Sequence, residues 1–287
     1  MTVPLQERVR VLENVQIARN TWRIRVSFPK LAETVIPGQF VMVRLPSSSD
    51  PLLGRPFALY DTVLDPKTGR PVAVDIVYLV VGKVTSLLAQ IMPDQEVDIW
   101  GPLGNGFPDP PTPNTASSPE TKGPKIALVA GGIGQTPFLA HTRDLLGKRG
   151  YGGQSAKVKC NHVSLYYGIR NRELAAGIED FQDAGADVNL SSDDGSIGFH
   201  GNVIQSLRRH PLPDWIVGCG PEPMLHALAN FARENNVPCH VSLETPMACG
   251  LGICFSCVTK VCTPTGWDYQ RVCVDGPIFD ASRLVWD

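Results

Sequence analysis

Ile126-Ala127-Leu128-Val129-Ala130-Gly131-Gly132-Ile133-Gly134-Gln135-Thr136-Pro137 is the stretch on which the fold turns. An apolar run ends in a glycine-rich turn, and an apolar-periodic segment follows from Thr136 to Leu146. Strand, glycine turn and helix in that order predict a parallel sheet with helices on its faces. Such a turn brings backbone N–H groups and the positive end of a helix to one place, where a diphosphate can bind. Thr136 suits a cap and Pro137 a first helical turn. The spacing is not the G-x-G-x-x-G dinucleotide fingerprint, so an ordinary tight turn stands as the competing reading.

Downstream the same grammar continues. Val163-Gly168, Asp187-Leu190 and Trp215-Gly218 read as strands, and helices are expected near 172–184, 202–209 and 223–235. The strand ending at Gly218 runs into Cys219-Gly220-Pro221-Glu222-Pro223-Met224, a second loop at the carboxyl end of the sheet. Ligands of such sheets bind at that end, so Cys219 and Gly220 are candidates for the same crevice; a buried structural thiol is the alternative for Cys219. Ser191-Ser192-Asp193-Asp194-Gly195-Ser196 forms a third loop, read either as a solvent turn or as a ribose contact whose carboxylates would favour NAD over NADP by repelling a 2′-phosphate.

Upstream, short apolar runs alternate with turn formers: 8–16, 21–28, 39–45, 57–61, 72–80 and 95–100. This predicts an antiparallel barrel or sandwich, interrupted by one short helix at 85–89. Residues 108 to 124 collect Pro, Ser, Thr and Asn and read as a linker or surface loop. Within the first part, Arg55 precedes a strand and presents a fork of donors suited to phosphate, although a surface arginine would look the same. Gly82-Lys83-Val84-Thr85 is a further phosphate-facing candidate.

The chain has 287 residues, 26 Lys plus Arg and 28 Asp plus Glu, so a net charge of −2 argues against a basic nucleic-acid binder. Its aliphatic runs are strand-sized, which predicts a cytosolic chain without a membrane span. Of eight cysteines, Cys249, Cys254, Cys257, Cys262 and Cys273 crowd together near the end, which in a reducing compartment points to metal or redox chemistry. The x4 then x2 spacing of Cys249, Cys254 and Cys257 favours a [2Fe-2S] cluster over zinc. Spacing alone leaves the fourth ligand open between Cys262 and Cys273. The six histidines, among them His141 and His240, show no motif with carboxylates and read as structural or solvent-facing. Glu244, just before the cysteines, is either a carboxylate at the cofactor junction or an interface residue.

Taken in order, the Arg55 strand, the G-P-L-G-x-G segment at 101–106, the G-G-I-G-x-x-P turn and the C-G-P-x-x-M loop resemble the ferredoxin reductase-like flavoprotein superfamily. The ending, Met247 to Cys257 with Arg271-Val272-Cys273-Val274-Asp275-Gly276-Pro277 later, resembles the electron-transfer subunits of dihydroorotate dehydrogenase within it. The resemblance spans essentially the whole chain. It implies an FAD-binding β-barrel at 1–107, the linker at 108–124, an NAD-binding Rossmann-like α/β domain at 125–240 and a [2Fe-2S] lobe at 241–287. It places Arg55 on the FAD phosphates and Pro56, Phe57, Ala58 and Leu59 along the flavin, with Gly82 and Thr85 beside the FAD diphosphate. Gly131, Gly132, Gly134 and Thr136 carry over to NAD, and Cys219 and Gly220 to the region beside the nicotinamide. Cys249, Cys254, Cys257 and Cys273 become the cluster ligands, with Cys262 in a variable loop.

Three departures stand out: Ala58 where the family has Ser or Thr, Val84 where a glycine is common, and a longer linker. The resemblance also implies a partner, an FMN-containing dihydroorotate dehydrogenase catalytic subunit, with two copies of each chain. Electrons would pass from that FMN through [2Fe-2S] and FAD to NAD+, in pyrimidine biosynthesis, and no catalytic residue for dihydroorotate oxidation is assigned to this chain. The alternatives are the same module serving another oxidoreductase, or a non-catalytic zinc-binding assembly protein.

Overall fold

The computed structural model describes residues 3–46, 50–111 and 123–286. Of the expected linker at 108–124, residues 112–122 lie outside the described residues. The first part holds β1 (Leu5–Ala18), β2 (Thr21–Ser27), α1 (Pro29–Thr34), β3 (Phe40–Arg44), β4 (Arg55–Ala58), β5 (Asp61–Leu64), β6 (Pro71–Leu79), α2 (Lys83–Leu88) and β7 (Glu96–Leu103). Its strands form one antiparallel sheet in the order β4-β3-β7-β1-β2-β6-β5. The run expected as one strand at 57–61 breaks at Leu59 and Tyr60, between β4 and β5. Leu59 N donates to Gln39 O on the β3 side at 3.1 Å and Tyr60 N to Asp75 O of β6 at 3.0 Å, bridging the two edges.

Val9, Val11, Ile24, Val26, Val74, Ile76, Tyr78, Val97 and Ile99 fill the barrel. Along β6 alternate residues point into it, while Val77 joins the core of the next layer, which explains the nearly continuous apolar run. α2 is capped by Thr85, whose Oγ1 accepts from Val81 N at 3.0 Å and Gly82 N at 3.1 Å.

The second part is a parallel sheet. β8 (Lys125–Gly131), α3 (Phe138–Leu145), β9 (His162–Ile169), α4 (Ile178–Asp183), β10 (Asp187–Ser192), β11 (Phe199–His200), α5 (Val203–Leu207), β12 (Trp215–Cys219), α6 (Glu222–Glu234) and β13 (Cys239–Ser242) supply its core elements. The strand order β11-β10-β9-β8-β12-β13 puts the topological switch between β8 and β12, with the glycine turn and the Cys219 loop at its carboxyl end. The glycine turn winds into a 3-10 segment over Gly132–Gln135, so α3 starts later than the expected Thr136. The helix expected at 172–184 is divided into a 3-10 turn at Arg172–Leu174 and α4, with Gly177 at φ 71 ending the extended link between them.

The chain ends with a hairpin, β14 (Val258–Thr263) and β15 (Gly266–Arg271), and with β16 (Ile278–Asp280), which pairs antiparallel with β13. The cysteine segment thus contributes an edge strand to the parallel sheet. Cys257, Val261, Val272 and Cys273 share one core with Phe40, Met42 and Leu103 of the barrel and Ile216 and Val241 of the sheet. Elsewhere the barrel is fixed to α3 by buried Asp61, which accepts from Arg143, from Arg149 Nη1 at 2.9 Å and from Tyr151 Oη at 2.6 Å. Tyr60 Oη adds a 2.6 Å bond to Asp180. Among the described residues no helix is long and apolar enough to cross a membrane.

Candidate functional site

Two clefts open where the barrel meets the carboxyl end of the parallel sheet. The first, about 380 Å³, is lined by Arg55, Pro56, Phe57, Ala58, Gly82 and Thr85 from the barrel and by Gly134, Thr136 and Cys219 from the sheet. The second, about 1260 Å³, is lined by Gly131, Gly132, Gly134 and Gly220, with Arg55 and Pro56 on its opposite wall. Arg55, Ile133, Gly134, Glu244 and Met247 line both, so the clefts are continuous. Leu59 differs from the other candidates: its side chain is buried in the barrel core and its amide is spent on Gln39. Val84, buried, also lines the first cleft.

Arg55 is exposed, and among the described residues no carboxylate pairs with it. Its Nη1 donates to Leu53 O at 3.1 Å and Gly54 O at 3.0 Å, which aims the guanidinium along the cleft wall. An unpaired guanidinium at an apolar cleft fits an anionic ligand. Phe57 is braced edge-on by Tyr78, ring centroids 5.8 Å apart, and Tyr78 Oη is tied to Asn14 at 3.0 Å. On the sheet side, Gly134 allows the two loops to touch: a Cβ there would stand 2.2 Å from Cys219 O. In front of Gly132, by contrast, an added Cβ would meet open space.

Of the third loop only Asp193 lines a cleft. Ser191 and Ser192 are fully buried, Ser192 Oγ binds Ile197, and Asp194 turns back onto Ser196 N at 2.9 Å. Glu244 stands near Cys219, where burial first and the Glu244 charge next push the thiol up to about 12, keeping it protonated at neutral pH. No histidine lines either cleft. His141 is buried against Phe107 and Trp215 and is held neutral.

The cysteine segment begins two residues after Met247, which lines both clefts. Cys254, beside Ser256 and Cys249, is pulled down to about 6, first by the Ser256 hydroxyl at 3.2 Å. Cys273 is pushed up to about 12 by burial and then by Cys257 beside it. Cys254 thus interacts with Cys249, and Cys273 with Cys257 and, to a smaller extent, Cys249, so the four sulfurs stand close to one another. Two irons taking two thiolates each fit that arrangement. Cys262 is exposed opposite Trp267, and the four residues of extended strand from Val258 carry it about 13 Å away. Gly250 and Gly252 are left-handed, at φ 73 and 78, and Leu251 N points at Cys249 Sγ at 3.3 Å. Such a nest of inward N–H groups fits an anionic centre.

A sequence model of the iron-sulfur cluster binding domain of dihydroorotate dehydrogenase B matches residues 244–285. Over essentially its whole length the chain is similar to electron transfer subunits of dihydroorotate dehydrogenase B (NAD(+)). That of Desulforamulus reducens is 34% identical, covering 97% of both chains, and that of Bacillus caldolyticus is 38% identical, covering 98% of both. The chain belongs to this family. Among solved structures, an NADH-dependent reduced ferredoxin-NADP oxidoreductase is 26% identical over 97% of this chain and 90% of its own, with a TM-score of 0.76. Phthalate dioxygenase reductase, 18% identical with a TM-score of 0.56, shares the fold.

For this family member the structure adds residues that sequence patterns did not single out. Trp100 Nε1 donates to Cys249 O at 2.9 Å, and Asn105 Nδ2 donates to Val274 O at 3.0 Å and Asp275 O at 3.2 Å. The barrel's last strand and the loop after it therefore grip the backbone on both sides of the cysteine set. The only sequence signal nearby was the G-P-L-G-N-G segment at 101–106, one of the motifs that carry the family resemblance, and it did not show what the segment grips.

Proposed function

We propose that the chain is the electron-transfer subunit of an NAD-dependent dihydroorotate dehydrogenase, carrying electrons from the FMN of a catalytic partner to NAD+. Its cofactors are FAD in the first cleft, NAD in the second and a [2Fe-2S] cluster on Cys249, Cys254, Cys257 and Cys273. The observation that carries this reading is continuity. Met247 lines both clefts two residues before Cys249, and Pro277 lines the first cleft four residues after Cys273. The segments that wall the cofactor clefts also bear the thiolates.

Held there, FAD would supply hydride exchange with a nicotinamide and single-electron exchange with an iron-sulfur centre. The protein's part is positioning and exclusion of water. Arg55 offers its guanidinium to the FAD phosphates, and Thr85 holds the Gly82 loop in shape through its cap. Phe57, backed by Tyr78, gives the flavin a stiff apolar wall. Ala58 offers no hydroxyl there, leaving only its backbone N–H. The Gly131–Gly134 turn faces the NAD diphosphate, and Cys219 and Gly220 flank the nicotinamide. Asp193 stands where a ribose hydroxyl is accepted and a 2′-phosphate is repelled. Around the cysteines, Leu251, Ile253 and Phe255 are exposed beside Cys254, an apolar rim suited to the FMN-bearing partner, two copies of each chain forming the assembly.

The test is co-purification with an FMN-containing catalytic subunit, followed by anaerobic assay. Dihydroorotate should reduce NAD+ only when both chains are present, with flavin and iron-sulfur bands bleaching in turn. A colourless zinc protein would overturn the reading. Reduction by NADH that reaches the flavin and never the iron-sulfur centre, even with the partner bound, would do so too.

A further inference from the structure

The six residues from Gly250 to Phe255 contain three in the left-handed region, and the third is not a glycine: Phe255 has φ 54. A large side chain holds that conformation only when its surroundings impose it. Phe255 is largely exposed, so burial does not. Its ring instead meets Arg271, whose Cζ lies 5.4 Å from the ring centre. The same guanidinium reaches Gly252 O through Nη1 at 3.3 Å. Its Nε and Nη2 face Asp275 Oδ2 and Oδ1 at 3.2 and 3.4 Å, and the Arg271 amide binds Asp275 Oδ2 at 2.8 Å.

One planar cation thus spans three points: the carbonyl between Cys249 and Cys254, the ring between Cys254 and Cys257, and the carboxylate two residues after Cys273. We propose that Arg271 is a positioning residue for the iron-sulfur ligand set, closing the Cys249–Cys257 loop onto the segment that carries Cys273. This rests on the reading of those four cysteines as the ligands of one cluster. Lysine, a point charge on a flexible stem, cannot serve the carbonyl, the ring face and both carboxylate oxygens at once.

The experiment compares iron loss to a chelator from the FAD- and cluster-loaded chain and its R271A, R271K and D275N variants, following the iron-sulfur absorbance and the retained FAD. Supporting partners of metal ligands change metal retention by about tenfold or more. R271A and R271K should therefore lose iron about tenfold faster than the wild type, with FAD content unchanged. D275N should fall between them and the wild type, and the electron paramagnetic resonance signal of the reduced centre in R271K should be broadened although its charge is kept. An R271A chain that keeps FAD but never loads iron is the same result at its limit; if R271A loses both, R271K decides. Iron loss from R271K within about twofold of wild type overturns the proposal. A wild-type chain that holds zinc or no metal instead overturns the cluster reading beneath it, which separates the two failures.

Discussion

Lowering the pH from 7 to 5 should weaken this fold through one buried ring. His141 is 2% exposed, stacked on Phe107 at 4.2 Å and edge-on to Trp215 at 6.0 Å, and among the described residues neither ring nitrogen has a partner. Burial is the main cause that lowers its pKa to about 3, with the positive charge of Lys159 adding to it. In the unfolded chain the same ring titrates near 6.5. Protons therefore bind the unfolded state first, so stability is intact above about pH 6.5 and is lost as the pH falls toward 3. Between pH 7 and 5 the unfolded ring gains about 1.4 pH units of protonation free energy that the native one does not, or about 2 kcal/mol. Urea unfolding at pH 7, 6 and 5, followed by tryptophan fluorescence, reads this directly. His141→Leu should flatten the dependence by about 2 kcal/mol, leaving the smaller slope of His240, whose pKa burial also lowers. An equal slope in wild type and variant would refute the argument, because the titrating group would then lie elsewhere.

Cys273→Ala should lose iron and sulfide while Cys262→Ala keeps both, as direct analysis of the purified chains will show. Arg55→Ala removes a charge-assisted phosphate contact of about 1.5–3 kcal/mol, so FAD should bind about ten- to a hundredfold more weakly in a fluorescence titration. Asp61→Asn leaves Arg143 and Arg149 facing each other without their counter-charge, and denaturant unfolding should report a loss of about 3 kcal/mol.

Much of this architecture was legible in the sequence because its signals are local. The strand, glycine turn and helix at 126–146 needed only periodicity and turn chemistry, and the cysteine spacing needed only ligand counting. What escaped depends on contacts between distant segments. Nothing near Leu59 announces that its amide bridges to Gln39 and its side chain turns inward, away from the flavin wall. The pairing of Ile278–Asp280 with β13 is a three-residue strand recruited by a neighbour, too short to carry a pattern of its own. Asp193 and Asp194 are equivalent on paper, and only the turn geometry sends one to the cleft and the other to Ser196. Cys262 and Cys273 read as equally good fourth ligands on spacing; the β14–β15 register leaves Cys262 exposed opposite Trp267, whereas Cys273 is buried in the shared core with Cys257, which favours the proposed set.

The grip of Trp100 and Asn105 on the cysteine segment has a kinetic consequence. On the proposed assignment, the cysteine segment and the Phe57 wall of the flavin cleft are both bolted to the same barrel. Electron hopping inside this subunit should then be indifferent to solvent viscosity, with pace set by spacing and driving force, and any viscosity dependence of turnover belongs to nucleotide exchange.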